Sequence, residues 1–245
     1  MKILLTVAYD GTNYCGWQRQ SNGLSVQQVI EERGLPPVLG EPAPVLGASR
    51  TDAGVHALGQ RACFSAENLA VPLEKLPMVI NNGLPEDIAV VKAEAAPDGF
   101  HPIFDAKRKT YEYAVLNAAW PNPKQRLYSE HVRRELDFAA MAEAAGHFIG
   151  EHDFSAFRAT DGSARTTVRT IYEARLFRDG GLITFRVTGN GFLYNMVRIM
   201  AGTLIEVGLG RICAGEVPGI ILSRDRTKAG RTAPARGLTL IRVEY

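Results

Sequence analysis

Alternation opens the chain. Ile3, Leu5, Val7 and Tyr9 are apolar at every second position and Asp10-Gly11-Thr12 follows as a turn, so the first strand is predicted up to Tyr9. Ser25-Val26-Gln27-Gln28 reads as a capping box ahead of Val26, Val29 and Ile30, which starts a helix at Ser25. Pro36-Pro37 predict that this helix stops near Gly34, because the residue before a proline resists the right-handed helical region. Short strands fit Pro44–Ala48 and Gln60–Phe64, with the loop Ser49–Gly59 between them. A helix fits Leu73–Asn81 and a strand Ile88–Ala95.

The rhythm then repeats. Lys109–Asn117 is predicted as a strand with Tyr111, Tyr113 and Val115 on one face, and Asp137 caps a helix running through Phe148. Val168–Phe177 and Leu182–Val187 flank Asp179-Gly180-Gly181, a hairpin signal. Phe192–Val207 is a long apolar helix, Glu216–Leu222 a shorter one, and Leu238–Tyr245 a closing strand. Strands in hairpin-like pairs with helices between them predict an α+β fold with a mostly antiparallel sheet. The halves are similar, 1–105 and 106–245, and no low-complexity linker divides them, so they are expected to share one sheet.

Composition adds limits. The 245 residues are 46% apolar and 22% charged, an ordinary globular balance. Cys15, Cys63 and Cys213 lie far apart in no metal or disulfide pattern and suit a reducing compartment. The first ten residues lack the make-up of a signal peptide, and no window reaches the roughly 18 apolar residues of a membrane span. A soluble cytoplasmic protein is expected. Residues 1–105 carry seven Lys and Arg against twelve Asp and Glu, whereas the remainder carries 21 against 14. That asymmetry points either to a polyanionic partner for the second half or to plain drift of surface charge.

The chain lacks GxxxxGK[ST], a complete dinucleotide fingerprint, a GxSxG elbow and histidines at metal-ligand spacing. What remains is the segment Ala48–Ala57. Arg50, Thr51 and Asp52 put a cation, a hydroxyl and a carboxylate into three residues after an apolar strand. Asp52 there could serve as nucleophile or base with Arg50 holding its charge; the plainer account is that it caps the turn ending at Gly54. Arg198 sits inside the apolar helix Phe192–Val207, where a guanidinium needs an acidic partner. Asp52 is one candidate; surface snorkelling or pairing with Glu206 is the other account. Lys107-Arg108-Lys109 beside Tyr111 and Tyr113, and Arg224, Arg226, Lys228, Arg231 and Arg236 further on, fit either a nucleic-acid surface or a solvated face.

Several segments in order carry a family resemblance: Tyr9-Asp10-Gly11-Thr12, Gly16-Trp17-Gln18-Arg19-Gln20, Ser25-Val26-Gln27, Arg50-Thr51-Asp52-Ala53-Gly54-Val55-His56, Lys109-Thr110-Tyr111-Glu112-Tyr113, Asp153-Phe154-Ser155-Ala156-Phe157-Arg158, Met196-Val197-Arg198, Gly202-Thr203-Leu204, Asp225-Arg226 and Ala233-Pro234-Ala235-Arg236-Gly237-Leu238. Over essentially its whole length the chain resembles the tRNA pseudouridine synthase A family. The resemblance implies isomerisation of uridine to pseudouridine at positions 38, 39 and 40 of the tRNA anticodon stem-loop. It implies two RRM-like halves forming one sheet with an active-site cleft between them, a homodimer sharing each tRNA, and no metal or other cofactor. It assigns the catalytic aspartate to Asp52, a tyrosine lying against the target base to Tyr111, an arginine paired with the aspartate to Arg198 and a base-flipping arginine to Arg50. A non-catalytic RNA-binding protein on the same fold is the alternative, and a nucleoside hydrolase using Asp52 a weaker one. The chain departs from the family pattern at Ser49, where glycine is usual; at Arg33–Pro37, which should shorten a helix; at Ile103, where arginine is common; and at Asn195, where histidine is frequent.

Overall fold

The computed structural model describes residues 1–69, 71–160 and 164–245. The chain forms two compact units, one of Met1–Lys107 with Thr239–Tyr245 and one of Arg108–Leu238.

In the first unit, β1 (Lys2–Tyr9) buries Ile3, Leu5, Val7 and Tyr9 as the alternation predicts. The opposite face of β1 is also covered where Leu4 packs with Cys63 and Phe100, flanked by Ala96 and Tyr245. Ser25 caps α1 (Val26–Val29) by accepting the Gln28 N–H. The helical run stops at Gly34 as the prolines predict. Its last turn is widened to a π turn over Ile30–Gly34, and after Leu35 a separate short helix, α2 (Pro36–Leu39), begins with both prolines in its first turn, where a missing N–H costs nothing. Gly40, at φ +83°, ends it.

Strand β2 is only Leu46–Gly47, whereas β3 spans His56–Ser65 and so begins four residues before the predicted Gln60. The loop between them is thereby shortened to Ala48–Val55. α3 (Leu76–Asn81) packs on β4 (Ile88–Ala96), and Asn81 caps the main chain of Val90 with both ends of its amide. β1 lies antiparallel between β3 and β4. The far edge of β3 is shared: β2 pairs with it at Cys63 and Ala62, and residues 239–240 run parallel to it at His56 and Ala57.

The second unit holds β5 (Arg108–Asn117), β6 (Glu130–Val132), α4 (Phe138–Gly146), β7 (Gly150–Asp153), β8 (Val168–Asp179), β9 (Leu182–Gly189), α5 (Met196–Gly208) and α6 (Val217–Ser223). β5, β9, β8 and β7 follow one another antiparallel, and β6 runs parallel to β5. Pairing in β6 and β7 was not legible in their short polar sequences. The hairpin at Asp179–Gly181 forms as predicted, with Gly180 at φ +53°. α5 starts at Met196 rather than Phe192, because Asn195 takes a left-handed conformation (φ 59°) that an ongoing helix cannot contain. α5 buries eleven of its residues; Arg198 and Glu206, eight apart, lie on its half-exposed stripe. The last strand, β10 (Leu238–Glu244), carries residues 239–245 back into the first unit. Each unit is thus α+β with a mostly antiparallel sheet.

Candidate active site

The loop Ala48–Val55 is held by its neighbours at unusually short range. Gly11 lies so close that a Cβ there would sit 2.0 Å from the Val55 carbonyl oxygen, and one on Gly16, at φ +108°, would sit 2.5 Å from that of Thr51. The Trp17 indole occupies the space over Gly47. Trp17 N–H donates to Thr51 O at 3.1 Å, and Gly54 N–H to Tyr14 O at 3.3 Å. Tyr9 Oη and Thr51 Oγ1 are 2.7 Å apart and buried. Asp87 anchors the 10–14 turn through its carbonyl to Asp10 N–H (2.9 Å) and through its carboxylate to the Tyr14 hydroxyl (2.5 Å).

Both ends of the loop are fixed as well. Gln60, fully buried on β3, donates from Nε2 to Ser49 O at 2.6 Å and accepts Ser49 N–H at Oε1 at 3.2 Å. At the other end His56 Nδ1 accepts the Gly11 N–H at 3.1 Å. Asp10 Oδ1 lies equally near that nitrogen, at 3.1 Å.

Within this frame Arg50 is exposed, Thr51 buried and Asp52 partly exposed. The turn is closed main chain to main chain, Val55 N–H donating to Asp52 O at 3.1 Å with Gly54 at φ +77°. Ser49 Oγ is buried and has no hydrogen-bond partner among the described residues.

In the second unit Tyr111 and Tyr113 share the covered face of β5, but their surroundings differ. Tyr111 is 8% exposed and meets the Phe192 ring edge-on, centroids 5.2 Å apart. Tyr113 is fully enclosed, its hydroxyl 3.0 Å from Glu130 Oε2 and 2.9 Å from Pro234 O, and burial followed by the Glu130 charge pushes its pKa far up. It is therefore a core residue and no stacking platform. Lys109 precedes Tyr111 on the same face; burial, then the charge of Arg169, pulls its ammonium down to about 8.

Arg198 donates from Nε to Ala233 O at 2.7 Å and from Nη1 to Asn195 Oδ1 at 2.7 Å. Asn195, where the family often has histidine, thus both turns the chain into α5 and accepts from Arg198. Glu206, the alternative acid for Arg198, has Arg211 at 2.9 Å and Arg231 at 3.8 Å. The loop 226–237 lies on the small residues of α5: a Cβ on Gly230 would meet Thr203 Cα at 2.6 Å, and Gly230 N–H donates to Thr203 Oγ1 at 2.9 Å.

The C-terminal basic cluster is largely engaged in holding the second unit together. Arg224 pairs with Asp153 at 3.0 Å, Arg226 donates to the carbonyls of Ala229 and Gly230, Arg231 pairs with buried Glu130, and Arg236 donates to Ser129 O. Reading it wholly as a nucleic-acid face overstates it. Sequence reasoning missed Gln60, for which a polar residue among the buried positions of β3 was the signal. Among the described residues no three His, Cys, Asp or Glu side chains converge as a metal would require, and no helix is long and apolar enough to cross a membrane.

A family model described as tRNA pseudouridine synthase matches residues 5–105 and 144–245. Relatives named tRNA pseudouridine synthase A are 51% identical in Ruminiclostridium cellulolyticum (100% of this chain, 99% of the relative), 49% in Geotalea uraniireducens (100% and 99%) and 48% in Acetivibrio thermocellus (99% of each). Among solved structures a chain of a Cbf5-Nop10-Gar1 complex is similar at 15% identity and a TM-score of 0.33, this chain covering 57% of it, too distant to carry an argument.

Proposed function

The chain belongs to the tRNA pseudouridine synthase family, and from that premise we propose that it isomerises uridine to pseudouridine at positions 38, 39 and 40 of the tRNA anticodon stem-loop. The observation that carries the reading is the Arg50-Thr51-Asp52 loop, held at both ends and along its length in a chain that matches the family almost throughout. Rigid presentation of one partly exposed carboxylate is what a reaction on a bound nucleotide requires.

The reaction is redox-neutral. The C1′–N1 bond breaks, the uracil turns, and a C1′–C5 bond forms; C5 gives up its proton and N1 ends protonated, so no atom is gained or lost. The uridine must first leave the stack, at a cost of a few kcal/mol. In this proposal Arg50, exposed at the head of the loop, enters the vacated space, and Tyr111 lies against the flipped base. Asp52 acts on the nucleotide as nucleophile or as base toward a sugar proton, and both routes need it ionised. Arg198, already oriented by Ala233 O and Asn195 Oδ1, serves that need by pairing with it. The edge-on contact with Phe192 supports a fixed orientation for the Tyr111 ring. We further propose that the site lies in a cleft between the halves 1–105 and 106–245, that the protein works as a homodimer, and that it acts in the cytoplasm, where its substrate is.

Tritium release from tRNA transcripts labelled at uridine C5 tests the reading. Wild type should release label, while Asp52→Ala and Asp52→Asn should bind tRNA without releasing it. Turnover by either variant removes Asp52 from the chemistry; tRNA binding without release by wild type leaves a binding protein.

A further inference from the structure

At the end of β5 away from Tyr111 the chain leaves the sheet through residues 118–136, and this segment is fixed rather than loose. Asn117, 9% exposed, donates from Nδ2 to Val132 O at 3.0 Å and to Arg134 O at 2.8 Å, and its Oδ1 accepts Leu136 N–H at 3.1 Å. His131 Nε2 lies 2.8 Å from Ala118 O. Arg133 therefore sits between two anchored carbonyls, and Trp120 two residues beyond an anchored one.

On that base the Trp120 ring is 77% exposed, with the Arg133 guanidinium 5.9 Å from its centroid. Lys124, Arg126 and Arg134 are exposed on the same segment. Among the described residues of this segment Glu135 is the single exposed acid, since Glu130 is buried against Arg231 and Tyr113. An indole left in water on a rigid support, with a guanidinium on its face and three further exposed cations on the same segment, has the make-up of a surface that stacks a base and holds phosphates. Trp and Arg also mark protein interface centres, but four exposed cations against one exposed acid is a charge excess that such centres lack. That composition favours a polyanion.

We propose that Trp120 and Arg133, with Lys124, Arg126 and Arg134, form a second docking surface for tRNA, which engages the substrate away from the nucleotide being isomerised. The substrate in this statement rests on the isomerase reading. Six residues of extended strand separate Asn117 from Tyr111, about 20 Å. The surface is therefore set off from the residue proposed to face the target base.

The test compares a full-length tRNA transcript with its excised anticodon stem-loop. Trp120→Ala and Arg133→Glu should each raise KM for the full-length tRNA at least fivefold, leave turnover at saturation within twofold, and leave KM for the stem-loop unchanged. Trp120→Phe should restore most of the affinity, and Lys124→Ala with Arg126→Ala should flatten the salt dependence of binding. The same KM as wild type in both single variants overturns the proposal, as does an equal loss on the excised stem-loop. A change of oligomeric state in light scattering assigns the surface to a second copy instead. Loss of binding to phosphatidylglycerol vesicles with tRNA affinity intact assigns it to a membrane. If wild type releases no tritium from either RNA, the isomerase reading fails, and full-length tRNA binding by wild type and variants still decides whether the surface holds RNA.

Discussion

Gln60 grips Ser49 at both of its main-chain polar groups, donating to the carbonyl at 2.6 Å and accepting from the N–H at 3.2 Å. A side-chain amide presents donor and acceptor side by side at any pH, so it can replace a missing strand partner at the point where β2 gives way to the Asp52 loop.

Gln60→Leu leaves both groups of Ser49 buried and unpaired, and we expect it to cost about 2 kcal/mol or more of stability in urea unfolding. Gln60→Glu should behave differently with pH. A protonated carboxyl can still donate to Ser49 O, whereas a carboxylate cannot, so the folded state raises the pKa of the new group. Its stability should be highest at low pH and fall as pH rises through the folded-state pKa. A pH-independent urea midpoint in Gln60→Glu would contradict the two-ended contact.

The Ser49 hydroxyl is buried with no hydrogen-bond partner among the described residues. Ser49→Ala removes a desolvated polar atom and nothing that holds the loop, because Gln60 binds main chain. The variant should be about 1 kcal/mol more stable, seen as a higher urea midpoint at unchanged slope.

Lys109 titrates at about 8 in the folded protein, against 10.5 when unperturbed. Below pH 8 both states are protonated and the folded state bears the full cost of the enclosed charge. Between 8 and 10.5 the unfolded chain binds more protons, so stability rises with pH. Lys109→Met should accordingly stabilise the fold at pH 7, by roughly 3 kcal/mol at most, and the advantage should disappear by pH 10.5. Paired melting curves across that range would show it, and a constant difference would refute it.

Glu130 faces both the Tyr113 hydroxyl and the Arg231 guanidinium. Glu130→Gln keeps the first contact and leaves Arg231 without its nearer carboxylate, a loss of about 2 kcal/mol once the partial exposure of Arg231 is allowed for. Adding Arg231→Met should restore part of that loss. Strictly additive losses in the double-mutant cycle would mean the two side chains do not interact.

What could be read in the sequence was local. The alternation of β1 and β5, the Ser25 cap and the Gly180 turn each follow from neighbours in the chain, and each is present. The Asp52 loop could be singled out because it concentrates unlike charges after an apolar strand. What holds it could not, since Gln60, Gly11 and Gly16 act through contacts that spacing does not encode. Alternation put Tyr111 and Tyr113 on one face without telling which of them the Glu130 network encloses. The prolines end the first helical run near Gly34 as their spacing predicts, but that they also open a second short helix was not legible, since proline is tolerated in a first turn. α5 began later than its apolar run because Asn195 turned left-handed.

The order in which the chain is made adds one consequence. Residues 239 and 240 lie beside His56 and Ala57, yet all of the second unit is synthesised between them. A ribosome therefore finishes the continuous second unit while the first still lacks the strand at the downstream anchor of the Asp52 loop. Until β10 emerges that edge of β3 is open, which makes the nascent chain most prone to mispairing there. A product released a few residues early would carry Asp52 and still lack one of the strands that hold its loop in place.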